Sequence, residues 1–151
     1  MSNIIATNKK AFRDYFLSDD WECGIALVGA EVKSIRAGLV DFKDSFARIE
    51  DAEIFLHNLH IGIYEQAGYI RPEPDRPRKL LLHKKEIKKI VGKTSQHGFA
   101  LIPTKIYLNA RGFVKVVVAL GKGKKHYDKR ESIKKQTIAR DIGRAVRNSK
   151  G

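Results

Sequence analysis

At 151 residues, with 30 Lys and Arg against 17 Asp and Glu for a formal charge of +13, the chain is about one domain long and carries a charge suited to a polyanionic partner. Its 42% hydrophobic content is enough for a core without covalent staples, and a single cysteine, Cys23, excludes an intrachain disulfide and points to a reducing compartment. The first ten residues lack the apolar run of a signal peptide, and no stretch is long and apolar enough to cross a bilayer, so a soluble cytoplasmic protein without membrane association is expected.

Asn8-Lys9-Lys10-Ala11 is a basic lead-in. From Tyr15 the odd positions read Tyr15, Leu17, Asp19, Trp21, Cys23, Ile25 and Leu27, with Ser18, Asp20 and Glu22 among the even ones. This near-alternation predicts a long bent strand with Gly24 as its bulge or bend, while a short helix over 8–16 competes for the first part. The period then changes. Val32, Ile35 and Leu39 repeat at helical spacing, Gly38 is placed to close the helix in a left-handed conformation, and Lys33 and Arg36 fall near the polar side.

Segments 46–50 and 53–61 flank the short turn Asp51-Ala52 and read as a β-hairpin. Residues 62–79 hold Gly62, Gly68 and three of the chain's four prolines, Pro72, Pro74 and Pro77. A long mobile loop with the basic end Arg76-Pro77-Arg78-Lys79 is expected there. Leu80-Leu81-Leu82 leads into a helix over 83–93, with Ile87, Ile90 and Val91 on one side and Lys85, Lys88, Lys89 and Lys93 on the other. Segments 99–108 and 113–120 are two further strands joined by Asn109-Ala110-Arg111-Gly112, and Pro103 marks an edge or bulge. At least five short-spaced strands with inserted helices make the fold mainly β, a small closed or nearly closed antiparallel barrel.

The chain divides after Leu120: residues 1–120 form the barrel and 121–151 a basic tail. That tail holds 11 basic and 3 acidic residues, which is +8 of the total charge. Nothing in it reads as a strand. Asp128 and Glu131 are placed to cap a helix whose apolar stripe, Ile138, Ile142, Ala145 and Val146, is too thin to order it alone. A tail disordered when free and helical when bound is expected.

Catalytic and metal chemistry are missing from the pattern. His57 and His60, three apart on one strand, point to opposite faces and cannot chelate one ion. Gly121-Lys122-Gly123-Lys124 lacks the spacing of a nucleotide loop, and its glycines read as a hinge. Cys23 lies in a strand pattern and reads as packing. No catalytic residue, metal site or cofactor is assigned.

The cations divide between two readings. Lys85 and Lys89 on the later helix, with Lys33 and Arg36 on the earlier one, are either solvated faces or RNA contacts. In the tail Tyr127 sits among Lys122, Lys124, Lys125, Lys129 and Arg130, where a ring stacks on a base while the cations hold phosphate. Glu22 repels phosphate but accepts hydrogen bonds from base amino or imino groups, so it brings selectivity to an RNA-binding barrel.

Asn8-Lys9-Lys10-Ala11, Trp21-Glu22-Cys23-Gly24-Ile25, Glu31-Val32-Lys33-Ser34-Ile35-Arg36-Ala37-Gly38, Arg76-Pro77-Arg78-Lys79-Leu80-Leu81-Leu82-His83 and Gly123-Lys124-Lys125-His126-Tyr127-Asp128-Lys129-Arg130 follow one another in an order that resembles the SmpB (SsrA-binding protein) family. Tyr64-Glu65-Gln66 also matches, though Ala67-Gly68 follows where the family often has Gly-Asn, and Ile35 stands for a common Leu. The resemblance implies a barrel related to the oligonucleotide-binding fold. It also implies binding to the tRNA-like domain of transfer-messenger RNA and its delivery to stalled ribosomes, with the tail in the empty messenger channel near the small-subunit decoding centre. The family's RNA-binding positions fall on Asn8, Glu22, Leu81 and Lys115, and its tail determinant on Gly123, Tyr127, Asp128, Lys129 and Arg130. Some relatives have His at the place of Tyr127. A monomer is expected when free. The alternatives are a ribosomal or assembly protein whose tail threads rRNA, and a nuclease whose catalytic groups are not visible.

Overall fold

The computed structural model describes residues 3–63, 72–95 and 98–124. Among the described residues, nine strands and three helices follow one another: β1 (Asn3–Thr7), α1 (Lys9–Asp14), β2 (Tyr15–Ile25), α2 (Gly29–Arg36), β3 (Val40–Asp41), β4 (Phe46–Glu50), β5 (Glu53–His57), β6 (His60–Ile61), β7 (Arg78–Leu81), α3 (Lys84–Thr94), β8 (Phe99–Leu108) and β9 (Val114–Gly123). The main sheet runs β1-β8-β4-β5-β7-β2-β9, and a further pairing of β8 with β9 closes six of its strands into a ring. The expected barrel is therefore closed. β1 continues along β8 on the edge that β4 meets only at Leu101, with Ile5 and Ala6 packed against the core, and β3 pairs with β6 as a separate ribbon. Closure removes the unpaired edges that an open sheet presents.

The interior is aliphatic: Cys23, Ile54, Leu56, Ile106, Val116 and Val118 from strands, with Ile35 from α2 and Ile90 from α3, are each fully buried. Cys23 is packing, as its pattern implied; burial pushes its thiol up to about 12.

The long strand expected from Tyr15 is β2, which runs from Tyr15 to Ile25. The short helix competing over 8–16 is present before it as α1, capped by Asn8 and ending at Asp14, and the residues ahead of that cap contribute an unexpected strand, β1. Gly24 is not the bulge. The irregularity in β2 lies between Ser18 and Asp20, with Asp19 at φ 29°. One extra residue there reverses which face the following side chains occupy. Leu17 stands opposite Gly121 and Trp21 opposite Val118, three apart on an unbroken β9, so these two apolar residues lie on opposite faces despite their odd numbers.

α2 ends as expected, with Gly38 at φ +79°. Ile35 is buried, but Leu39 at the end of the predicted stripe is largely exposed. The hairpin β4–β5 pairs Phe46 with His57 and Glu50 with Glu53 around the expected turn. The predicted strand over 53–61 breaks at Asn58, φ +63°, and His60–Ile61 leaves for β3. His57 and His60 are thus on different strands, and the single-strand geometry used to separate them does not apply. His57 meets Glu50 and stacks on Phe46, while His60 meets Asp75. Among the described residues no group of three or more His, Cys, Asp or Glu is placed to hold a metal.

The proline-rich segment gives way to regular structure earlier than expected. Arg78 and Lys79, expected as the loop's basic end, belong to β7, and Arg78 is fully buried. Its Nε donates to Glu31 Oε2 at 2.8 Å and its Nη1 to the Leu59 carbonyl at 2.6 Å. Glu31, itself buried at the start of α2, also accepts from Arg76 Nε at 3.0 Å and from the Val28 N–H at 3.1 Å. One carboxylate thus ties the start of α2 to the chain entering β7. Residues 64–71 lie outside the described residues, and with them Tyr64-Glu65-Gln66.

Pro103 does mark a bulge: β8 shifts register against β9 between Pro103 and Lys105. Strand β9 runs through Gly121, Lys122 and Gly123, three residues past its expected end. Lys122 pairs with Phe16 on one side and Phe99 on the other. The supposed hinge is therefore sheet, because β2 and β8 both extend alongside and satisfy its backbone.

Candidate nucleic-acid interface

Register brings together residues that are far apart in the chain. On the outer face of the barrel, Leu81 of β7 stands opposite Gly24 of β2, which stands opposite Lys115 of β9, which stands opposite Tyr107 of β8. The adjacent row on the same face is Glu22, Val117 and Lys105. Glu22, Leu81 and Lys115 therefore share one surface.

Gly24 decides how close the first row comes. A Cβ there would meet Leu81 Cβ at 3.2 Å, so the missing side chain is what lets β7 lay Leu81 over β2. Leu81 is 50% exposed, which rules out the plain core role its leucine run allowed. The Tyr107 hydroxyl donates to Glu22 Oε2 diagonally across the rows. Burial, then this hydrogen bond, pushes the tyrosine up to about 12, so it stays protonated and keeps donating near neutral pH. Lys105 Nζ lies 5.8 Å from the Tyr107 ring centroid.

The surface deepens beside Lys115 into a concavity of about 430 Å³, bounded by Leu27, Val32, Arg36, Leu81, Arg111 and Phe113. The turn after β8 builds its rim. Asn109 Oδ1 accepts from the N–H groups of Arg111 and Phe113, each at 3.0 Å, and Gly112 takes φ +82°. Phe113 is thereby left 60% exposed. Arg36 Nη2 donates to the Gly112 carbonyl at 3.2 Å, joining α2 to this rim. The surface thus offers an oriented carboxylate, cations on two strands and a turn, and exposed apolar groups. It can accept from a base edge, hold phosphate and take a base or ribose face.

Other predicted positions lie elsewhere. Asn8 is buried, and its side chain is spent inside the protein: Nδ2 donates to the Pro103 carbonyl at 2.8 Å while Oδ1 accepts from the Ala11 N–H at 3.2 Å. It anchors α1 to the bulge of β8 and offers no base-reading group. Lys33 on α2 and Lys85 and Lys89 on α3 are exposed, but none lines the concavity. Lys124 reaches back to the Phe12 carbonyl at 3.4 Å. Lys125, Tyr127, Asp128, Lys129 and Arg130 lie outside the described residues, as does the helix predicted beyond them.

Tyr107, Lys105, Arg111 and Phe113 were missed. Their signal was present in the hairpin, since the turn at 109–112 sets Leu108 opposite Val114 and therefore Tyr107 opposite Lys115. Among the described residues no helix is long and apolar enough to cross a membrane.

The model of the SmpB protein family matches residues 5–148. An SsrA-binding protein of Bacillus subtilis (strain 168) is 53% identical over 146 residues, spanning 97% of this chain and 93% of its own. One from Shouchella clausii (strain KSM-K16) is 51% identical over 144 residues, 95% of this chain and 92% of its own. A solved chain described as "tmRNA-SmpB: a journey to the center of the bacterial ribosome" superposes with a TM-score of 0.71 at 50% identity, covering 91% of this chain and 96% of that one.

Proposed function

Because the chain belongs to the SmpB family, we propose that it binds the tRNA-like domain of transfer-messenger RNA and delivers it to stalled ribosomes in trans-translation. The observation that carries the RNA-binding role onto these residues is the convergence of Glu22, Leu81 and Lys115, from three strands, on one outer face of the barrel. Lys115 and the rim arginines hold phosphate, Leu81 and Phe113 cover a ribose or base, and Glu22 accepts from base donors. Lys33, Lys85 and Lys89 add long-range attraction from neighbouring helices. The protein acts in the bacterial cytoplasm as a carrier and not as an enzyme, and residues 125–151 engage the ribosome near the decoding region through Lys125, Tyr127, Asp128, Lys129 and Arg130.

The test compares the tRNA-like RNA with an unrelated RNA of equal length. Glu22→Gln is expected to weaken the first by about 1–3 kcal/mol and leave the second nearly unchanged. Lys115→Ala is expected to weaken both and lower the salt slope by about one unit. Equal losses for both RNAs in Glu22→Gln would remove the carboxylate from recognition.

A further inference from the structure

The row that carries Lys115, Gly24 and Leu81 does not stop at β7. Register between β5 and β7 pairs Ile54 with Leu80, which sets Glu53 beside Leu81, and Glu53 stands opposite Glu50 of β4. The next row on the same outer face is Arg48, Phe55 and Lys79. Lys79 Nζ is ion-paired with Glu53, and Arg48 Nη1 lies 3.9 Å from Glu50 Oε1. The Arg48 guanidinium is also 5.5 Å from the Phe46 ring centroid. These four charged side chains are 39–58% exposed, within reach of RNA that overruns the recognition face.

The β4–β5–β7 strip thus holds two cations and two aromatic rings, the groups that any RNA backbone and base take up. What it lacks is net positive charge, because Arg48 and Lys79 stand against Glu50, Glu53 and Asp51 in the turn between them. Strand pairing gains nothing from setting Glu50 opposite Glu53, since like charges placed directly across a pair repel. The gain lies in what the strip does to a ligand. Strand spacing puts Glu53 about 5 Å and Glu50 about 10 Å from Leu81, close to the screening length of about 8 Å at physiological salt. A phosphate lying over β7 therefore feels both carboxylates.

We infer that Glu50 and Glu53 are specificity-determining residues: by neutralising Arg48 and Lys79 they end the RNA footprint at β7, and RNA that does not fit the recognition face finds no further phosphate contacts along β5 and β4. The inference rests on the recognition face assigned above. RNA held by Glu22, Leu81 and Lys115 gives up little to these carboxylates. RNA bound only through its backbone gives up the contacts that would let it spread, and the difference is selectivity.

The experiment uses the full chain with the tRNA-like RNA and an unrelated RNA of equal length, each over a salt series. Glu50→Gln with Glu53→Gln is expected to bind the unrelated RNA at least about fivefold more tightly, with a salt slope steeper by about one unit for each cation set free. The tRNA-like RNA is expected to gain less than about twofold, so the ratio of the two affinities falls. Adding Arg48→Met and Lys79→Met to that double variant is expected to restore the affinity and slope of the unaltered protein. Circular dichroism and urea midpoints check the fold of each variant. If the double variant holds the unrelated RNA no more tightly than before, the carboxylates withhold nothing and the inference falls. It falls equally if both RNAs gain alike, or if the gain survives loss of the two cations. Failure of Lys115→Ala to weaken the tRNA-like RNA, measured with Glu50 and Glu53 in place, overturns the recognition face instead.

Discussion

Tyr107 and Glu22 are 85 residues apart, yet one hydroxyl decides how the carboxylate can be used. A free glutamate on a strand samples several rotamers. Here Oε2 is occupied by a donor that stays protonated near neutral pH, so the carboxylate is aimed before a ligand arrives. Tyr107→Phe is expected to cost the fold only about 1 kcal/mol, because Glu22 is exposed and water replaces the lost donor. Its effect is expected in selectivity: the ratio of affinities for the tRNA-like and unrelated RNAs falls, while affinity for the unrelated RNA holds. Competition binding at fixed salt measures this, and an unchanged ratio would show that Glu22 needs no aiming.

Between elements, the Glu31 carboxylate holds α2 to the chain entering β7, and through β7 it sets where Leu81 lies. Burial drives its pKa up, but hydrogen bonds from Arg76, the Val28 N–H and Arg78 outweigh that and hold it below the usual carboxylate range. A carboxylate depressed in the folded state stabilises fully above its unfolded pKa, and the contribution drains away as pH falls through the folded one. Glu31→Gln takes from buried Arg78 the carboxylate it is hydrogen-bonded to and leaves it the weaker influence of Asp75, a loss of about 3–5 kcal/mol at neutral pH. The gap from the unaltered protein is expected to narrow steadily below about pH 4.5, where the unfolded chain's carboxylate takes up a proton that the native one still refuses, and to level off once the native carboxylate protonates too. Urea unfolding at a series of pH values tests this; a gap that stays constant into acid would mean that the ion pairs contribute nothing beyond shape.

For the whole molecule, the boundary between barrel and tail matters most. Gly121, Lys122 and Gly123 pair with Leu17, Phe16 and Tyr15 on one side, and Gly121 and Lys122 with Ala100 and Phe99 on the other. Truncation after Lys124 is expected to leave stability and tRNA-like RNA binding intact while abolishing peptide tagging on stalled ribosomes. Truncation after Leu120 is expected also to lose a few kcal/mol, at roughly 0.5–1.5 kcal/mol per hydrogen bond removed. Denaturant midpoints and a tagging assay on both truncations decide the matter: equal midpoints would return the boundary to Leu120.

The sequence by itself determined the features that depend on near neighbours. The β4–β5 and β8–β9 turns, the left-handed Gly38, the bulge at Pro103, the packing of Cys23 and the concentration of charge after residue 120 all follow from local backbone preference, spacing or composition. Only the tertiary structure decided which side chains share a surface. A one-residue bulge beside Asp19 turned Leu17 and Trp21 to opposite faces, and ring closure placed Leu81, Gly24, Lys115 and Tyr107 in one row. The same closure buried Arg78 against a carboxylate 47 residues away. The reason is physical: a strand's own pattern specifies alternation, but bulges and partners contributed by distant segments choose the face, and shifting either by one residue moves every side chain that follows to the other side.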